Sequence, residues 1–135
     1  MSLPLIRAAL EKKLALLSPA LVTSYENVPF NSVSGIPYQR VNLMLATPDN
    51  SMIGGFMYRE MGIFQVSLCY PLSTGPANAE AKAQALRLHF RRGTSLIEGT
   101  LTINIISTPR VSPAMVDIDR YVIPVSIPWQ CDITT

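Results

Sequence analysis

Residues 121–129 alternate apolar and other side chains more regularly than any other part of the chain. Successive side chains of a β-strand point to opposite faces of a sheet, so this period of two predicts a strand with one buried face. Pro124 and Pro128 share one parity, and both missing backbone donors therefore point to the same side. The segment is predicted to be an edge strand or a strand with a bulged pairing.

Three further runs, residues 39–45, 64–70 and 101–106, show the same alternation. Each predicts another half-buried strand. Turn residues such as Pro48, Asn50 and Gly75 separate these runs and predict loops between them. The side chains that we expect to be buried on the apolar parity are Phe64, Val66, Leu68, Leu101, Ile103, Ile123 and Val125.

Two segments show helical spacing instead. The first has Ile6, Leu10, Leu14 and Leu17, and the second has Ala79, Ala83, Leu86 and Phe90. The first helix should end before Ser18, because the residue that precedes a proline disfavours the α conformation. The second should cover residues 77–92, with Gly93 as its C-terminal cap. The order of elements predicts an α+β fold, a mainly antiparallel sheet with two helices packed on one face, as a single domain over residues 1–135.

The composition is 48% hydrophobic and only 15% charged, with a mean hydropathy of +0.26. Soluble domains average about 25% charged residues, so part of the apolar excess is expected to face a partner chain. A net charge of +2 argues against a protein that coats nucleic acid. We expect neither a signal peptide nor a membrane span, and a cytoplasmic protein in which Cys69 and Cys131 stay reduced.

Candidate catalytic groups are few. The single histidine, His89, falls between Arg87 and Arg91 on the second helix, without a neighbouring carboxylate to orient it. A general base needs such a partner, so we interpret His89 as a rim residue. The chain has no nucleophile elbow, P-loop or dinucleotide-binding glycine pattern. The prediction is that the protein is not an enzyme and has no cofactor.

Carboxylates offer a second possibility, since Asp117 and Asp119 with Glu98 or Asp132 could gather around a hard cation. The segment lacks the glycine and the ligand series of a calcium loop. Arg110 and Arg120 are available as ion-pair partners for the two loop aspartates. We therefore expect solvated loop charges and no metal site.

The second helix ends in a basic cluster, formed by Lys82, Arg87, Arg91 and Arg92. No aromatic residues alternate with these cations, as stacking on nucleic acid would require. One interpretation is a solvated helix end, stabilised by the helix dipole. The other is a set of cations that pair with acidic groups of an adjacent subunit and set its orientation.

Residues 47–56 and 108–119 carry turn chemistry and are predicted as surface loops, yet both contain large apolar side chains. These side chains either pack within their own loop or form an adaptable protein interface. We expect the backbone of residues 47–56 to be mobile in the isolated subunit and ordered after docking. The candidate interface residues are Met52, Ile53, Phe56, Arg87, Arg91, Arg92, Arg110 and Met115.

The order of short motifs along the chain resembles that of a known family. The motifs are ENVPF at 26–30, GIPY at 35–38, GIFQV at 62–66, an alanine-rich helix that ends at 90–93 and the closing strand at 121–129. Together they resemble the tail terminator-like proteins of long-tailed bacteriophages (minor tail protein U-like). The resemblance extends over nearly the whole chain.

This resemblance implies an α+β subunit that assembles in the host cytoplasm into a ring on the phage tail, with six subunits as one option. The ring would stop polymerisation of the tail tube and form the head-facing interface. The implied partners are the tail tube protein, the head-completion (connector) protein and further copies of the chain, without a membrane and without specific nucleic-acid binding. Two alternatives are a head-tail joining or tail-completion protein of a neighbouring layer and a small ligand-binding or enzymatic domain.

Overall fold

The computed structural model describes residues 2–18, 21–50 and 55–134. Its elements are α1 (Ser2–Ala15), β1 (Val22–Ser24), β2 (Tyr38–Leu45), β3 (Met57–Pro71), α2 (Ala77–His89), β4 (Ser95–Glu98), β5 (Leu101–Ile105), β6 (Arg110–Val111), β7 (Met115–Asp117) and β8 (Arg120–Thr134). One sheet contains all eight strands in the order β1-β2-β3-β8-β5-β4, and the short strands β6 and β7 also pair with β8.

The centre of the sheet is the antiparallel pair of β3 and β8, which are aligned over their full lengths of 15 residues. The sheet is mixed, because β1 is parallel to β2 while the other pairs are antiparallel. At about 3.3 Å per residue, the central strands are roughly 50 Å long. Surfaces at the two ends of this sheet are therefore well separated.

The prediction that residues 121–129 form an edge strand is wrong, since β8 pairs on both sides. The carbonyls of Pro124 and Pro128 accept hydrogen bonds from the N–H groups of Ser112, at 2.9 Å, and Ile106, at 3.3 Å. The N–H and C=O of one strand residue point to the same side, so both missing donors face β5, β6 and β7 rather than β3.

On that side the partner of β8 is interrupted at each proline. Residues 106–109 lie opposite only two residues of β8, 127 and 128, and residues 112–114 lie opposite 123 and 124. The extra residues loop out where a ladder donor would otherwise be missing. This arrangement agrees with the alternative of a bulged pairing, and it explains how a central strand tolerates two prolines.

The core joins the buried side chains of both helices to one parity of the strands. Six of the seven side chains predicted to be buried are buried, and Leu101, at the start of β5, is half-buried. The largest fully buried side chains are Trp129, Phe64 and Phe90. The alternation in the sequence thus identifies the core-facing parity correctly.

Both helices end earlier than predicted: α1 at Ala15 and α2 at His89. Phe90 caps α2, and its side chain is fully buried with its ring 6.2 Å from that of Phe64. Gly93 is not the cap. It has a φ of +91° and donates its N–H to the Ile105 carbonyl, so it forms the turn that leads into β4.

Four short strands, β1, β4, β6 and β7, were not predicted. The segment 108–119, predicted to be a loop, contains β6 and β7. The strand predicted over 64–70 begins seven residues earlier, at Met57. Part of the segment 47–56 also pairs, since Asp49 and Arg59 exchange two backbone hydrogen bonds of 2.9 Å.

The side chain of Glu26 ties three elements together beyond the end of β1. Its Oε1 accepts hydrogen bonds from the Leu43 N–H of β2, at 2.6 Å, and from Arg7 Nη1 of α1, at 2.9 Å. These two bonds, first the one from Leu43 and then the one from Arg7, lower the pKa of Glu26 below its ordinary value of 4.5. The charged form is therefore favoured by folding.

We expect this carboxylate to stabilise the protein only above its folded pKa. A pKa lowered by folding contributes stability that is present above pH 4.5 and is lost as the pH falls through the folded pKa. Glu26→Gln should lower the free energy of unfolding by about 1 kcal/mol at pH 7 and by much less at pH 3. Urea unfolding at both pH values measures this, with Asp119→Asn, at an exposed carboxylate in the turn before β8, as the control. An equal loss at pH 7 and pH 3 would contradict the assignment.

Candidate protein interface

The apolar candidates lie at different places on the surface. Phe56, directly before β3, is 70% exposed, and Met115 in β7 is 54% exposed. Met52 and Ile53 lie outside the described residues. The predicted mobility of residues 47–56 in the free subunit stays a prediction.

The predicted basic cluster does not gather at one place. Lys82 is buried, and burial lowers the pKa of its ammonium group. It lines a cleft with Tyr70 and Asn78, away from the end of α2. Arg87 donates from Nε to the Pro109 carbonyl at 3.1 Å, so it fixes the connection between β5 and β6.

Arg91 and Arg92 do lie together, in a cleft of about 540 Å³ where the carboxyl ends of α1 and α2 meet. Lys13, which sequence reasoning did not connect with them, lines the same cleft. His89 Nε2 lies 2.5 Å from the Lys13 carbonyl oxygen. Since a carbonyl only accepts, this nitrogen carries the proton and donates, which makes His89 a tie between the two helices.

We call this site the cationic cleft, lined by Lys13, Leu88, His89, Arg91, Arg92, Gly93 and Thr94. Among the described residues, none of its lysine and arginine side chains has an ion-pair partner. Leu88 is 63% exposed within it. The cleft therefore combines an apolar side chain with three positive charges.

A second exposed feature lies at the other end of β8. The strands β7 and β8 form a hairpin with Asp117 opposite Arg120, so its turn consists of Ile118 and Asp119. Ile118 is 92% exposed and has a φ of +56°. Sequence reasoning missed this feature, and its signal was an isoleucine between two aspartates immediately before the strand.

The carboxylates that the sequence suggested as cation ligands do not gather at one place, and three of them pair with basic side chains instead. Glu98 pairs with Lys12 at 2.7 Å, Asp132 with Arg59 at 2.8 Å, and Asp117 lies 3.7 Å from Arg40. Within the part of the chain that the structure describes, no group of three His, Cys, Asp or Glu side chains could hold a metal ion.

Arg120 is not the ion-pair partner of the loop aspartates that the sequence suggested. It is only 4% exposed and donates to the carbonyls of Ile36, at 2.5 Å, and Val33, at 2.7 Å. Its guanidinium carbon lies 5.0 Å from the centre of the Tyr38 ring. Arg120 therefore fastens the segment before β2 to the sheet. Arg110, the other suggested partner, is exposed on β6.

The two thiols are far apart on adjacent strands. Cys69 lies opposite Val122, whereas Cys131 lies opposite Glu60, nine residues along β3 from Cys69. Both are free and buried. Burial raises the pKa of each thiol, which disfavours the reactive thiolate.

Contiguous apolar patches on a protein surface are typical of sites of protein–protein interaction. Comparison with known proteins defines the class further. The chain belongs to the phage tail terminator protein family, whose profile matches residues 5–129. It is thus a structural protein of phage tails.

Six chains among solved structures match this one. One of them is 26% identical, with a TM-score of 0.78, over 100% of this chain and 99% of the other. A comparison with curated proteins finds no match. None of the described helices is both long enough and apolar enough to cross a membrane.

Proposed function

We propose that this protein forms a ring on the end of the phage tail tube, stops tube polymerisation and provides the surface that faces the head. The observation that carries the proposal is the match to the tail terminator family over residues 5–129. The proposed partners are the tail tube protein, the head-completion (connector) protein and further copies of the chain. The ring, hexameric as one option, forms on the tail.

The proposal includes that both helices pack on the same face of the sheet. In support, α1 contacts β4 and β5, α2 contacts β3, β6 and β8, and the buried residues of both helices share one core cluster. The opposite parity of the central strands is buried at Ser67, Cys69 and Val122, and it is available to other subunits only further along the sheet. That open part includes two exposed apolar residues that pair across neighbouring strands, Met44 of β2 and Ile63 of β3.

A terminator must bind the end of the tube and must not bind a further layer of tube protein. Its tube-facing surface and its opposite surface therefore need different chemistry. We assign the segment before β3 to the tube contact, with Phe56 and its neighbours Met52 and Ile53 as apolar anchors. Burial of such side chains offsets the entropy lost when a loop becomes ordered. The polar candidates Arg87, Arg91, Arg92 and Arg110, with Met115, are assigned to contacts between subunits or with the connector.

Electron microscopy of tails from a phage that lacks this protein tests the proposal. Without a terminator, nothing stops tube growth, so we expect tails of uncontrolled length that do not join heads. Complementation with the wild-type chain should restore a uniform length. Tails of normal length that are detached from heads would favour the joining role in a neighbouring layer instead, and normal virions would exclude both.

A further inference from the structure

The turn of the β7–β8 hairpin holds an unusual residue for its conformation. A left-handed backbone at a two-residue turn favours glycine, asparagine or aspartate, whereas a β-branched side chain there is strained. Ile118 nevertheless adopts a φ of +56° and is 92% exposed. In the free subunit, the structure therefore shows neither a backbone reason nor a packing reason for an isoleucine at this position.

The surroundings of Ile118 make the tip both apolar and acidic. Asp117 and Asp119 flank it, and Val116 and Met115 in β7 are also exposed. Among the described residues, Asp119 has no ion-pair partner. The turn also extends past the end of β3, since Pro71, the last residue of that strand, lies opposite Arg120. The tip thus projects from one end of the sheet.

The cationic cleft has the complementary chemistry. It presents the exposed Leu88 among Lys13, Arg91 and Arg92, as the tip presents Ile118 between two carboxylates. The two sites lie far apart on one subunit. Gly93, in the turn beside the cleft, donates its N–H to Ile105, and Ile105 lies opposite Trp129 of β8. Trp129 is nine residues along β8 from Arg120, beside the tip, so the cleft and the tip are about 30 Å apart. A subunit cannot fill its own cleft.

We propose that the β7–β8 hairpin tip of one subunit docks into the cationic cleft of the next copy of this chain, with Ile118 against Leu88 and Asp119 paired with Arg91 or Arg92. This inference rests on the proposed ring, for which it names the contact between subunits. Because two different patches meet, each subunit offers one free tip and one free cleft. Such heterologous contacts close into a ring when the rotation permits.

Charge reversal tests the pairing in a phage that lacks the protein and is complemented with variants. Asp119→Arg and Arg92→Asp, each alone, should lower the yield of completed tails about tenfold, because each places like charges together. The combined variant should recover to within about threefold of wild type. Arg91→Asp, alone and with Asp119→Arg, tests the second cation. Glu80→Arg, an exposed reversal outside both sites, is the control.

A disulfide cross-link between neighbouring subunits tests the contact directly. Purified protein with both Ile118→Cys and Leu88→Cys is bound to tails that lack the protein and is then mildly oxidised. Disulfides between neighbouring subunits should give a ladder of covalent oligomers. Either substitution alone should give at most a dimer, since the native thiols are buried. The fluorescence of Trp129, the only tryptophan, reports whether each variant is folded.

Two outcomes would overturn the contact: tails capped by the double-cysteine variant without a ladder, or single reversals that leave tail yield unchanged. Either result leaves the proposed function standing if the phage without the protein makes overlong tails. Normal tails from that phage would instead remove the proposed function, and a ladder from concentrated double-cysteine protein would still support the contact.

Discussion

Gly62→Ala is expected to lower the free energy of unfolding by about 3 kcal/mol, a large effect for the addition of one methyl group. Gly62 lies in β3 between Leu45 of β2 and Trp129 of β8. A Cβ at this position would overlap the carbonyl oxygen of Met44 and lie 3.0 Å from Trp129 Cζ2. Since β3 is held on both sides, the added carbon forces the strands apart.

The sign of this effect is informative. Where the native backbone allows it, a change from glycine to alanine stabilises a protein by about 0.4–1 kcal/mol, because the unfolded chain loses freedom. Only the clash reverses the sign at Gly62. Urea unfolding followed by Trp129 fluorescence measures the change.

The control is Gly35→Ala in the segment before β2. Gly35 has a φ of +81°, and an added Cβ would meet no atom within 4 Å, so the cost is backbone strain alone, about 1 kcal/mol. If Gly62→Ala were as stable as wild type, β2 and β3 would have to be further apart at this point than the structure shows.

The sequence predicts the core of the fold because a strand that is buried on one face has an apolar residue at every second position. Phe64 and Val125, for example, are placed correctly by alternation alone. The edges of the sheet are less predictable. The strands β4, β6 and β7 are two to four residues long, too short to show a period, and they form because β5 and β8 present backbone groups to them.

The candidate interface was only partly predictable for the same reason. Arg91 and Arg92 were identified from the charge at the end of α2, but their neighbour Lys13 is distant in sequence and reaches the cleft through the His89 contact. Charge alone groups Lys82 with them, although its position on the helix turns it towards a separate cleft that Tyr70 and Asn78 also line. Local spacing identifies charges, whereas the packing of helices decides which of them meet.

The resemblance to the family rests on a different kind of signal, the order of short motifs along the chain. The motifs at 26–30, 35–38 and 62–66 include turn residues and close approaches, and the structure gives two of them a physical role. Glu26 accepts the Leu43 N–H, and Gly62 allows the tight pairing of β2 and β3. These two positions therefore constrain the local fold, the first through a hydrogen bond and the second through the absence of a side chain.

Arg120→Ala is expected to destabilise the protein by about 3 kcal/mol, since hydrogen bonds to a charged group contribute about 1.5–3 kcal/mol each. The buried guanidinium holds the carbonyls of Val33 and Ile36 and stacks on Tyr38. Without it, the Ile36 carbonyl loses its donor, and the Val33 carbonyl keeps only the hydrogen bond from the Ile36 N–H, at 3.1 Å. The segment before β2 also loses this attachment to β8. That segment should therefore become more mobile than the rest of the sheet.

Arg120→Lys separates charge from geometry. Lysine keeps the positive charge but lacks the planar fork that donates to two carbonyls at once, so we expect it to recover only a minor part of the lost stability. Arg110→Ala, an exposed arginine on β6, is the matched control and should change stability by less than about 0.5 kcal/mol.

Two measurements check this prediction. Urea unfolding gives the change in stability. Hydrogen exchange of the Ile36 amide, which donates to the Val33 carbonyl at 3.1 Å, should increase in Arg120→Ala under conditions in which the amides of β3 and β8 stay protected. Such selective exchange would show that Arg120 acts by fastening this segment. Unchanged protection of the Ile36 amide in a folded Arg120→Ala protein would mean that the segment is held by other contacts, such as the packing of Phe30 on Tyr38 at 5.0 Å.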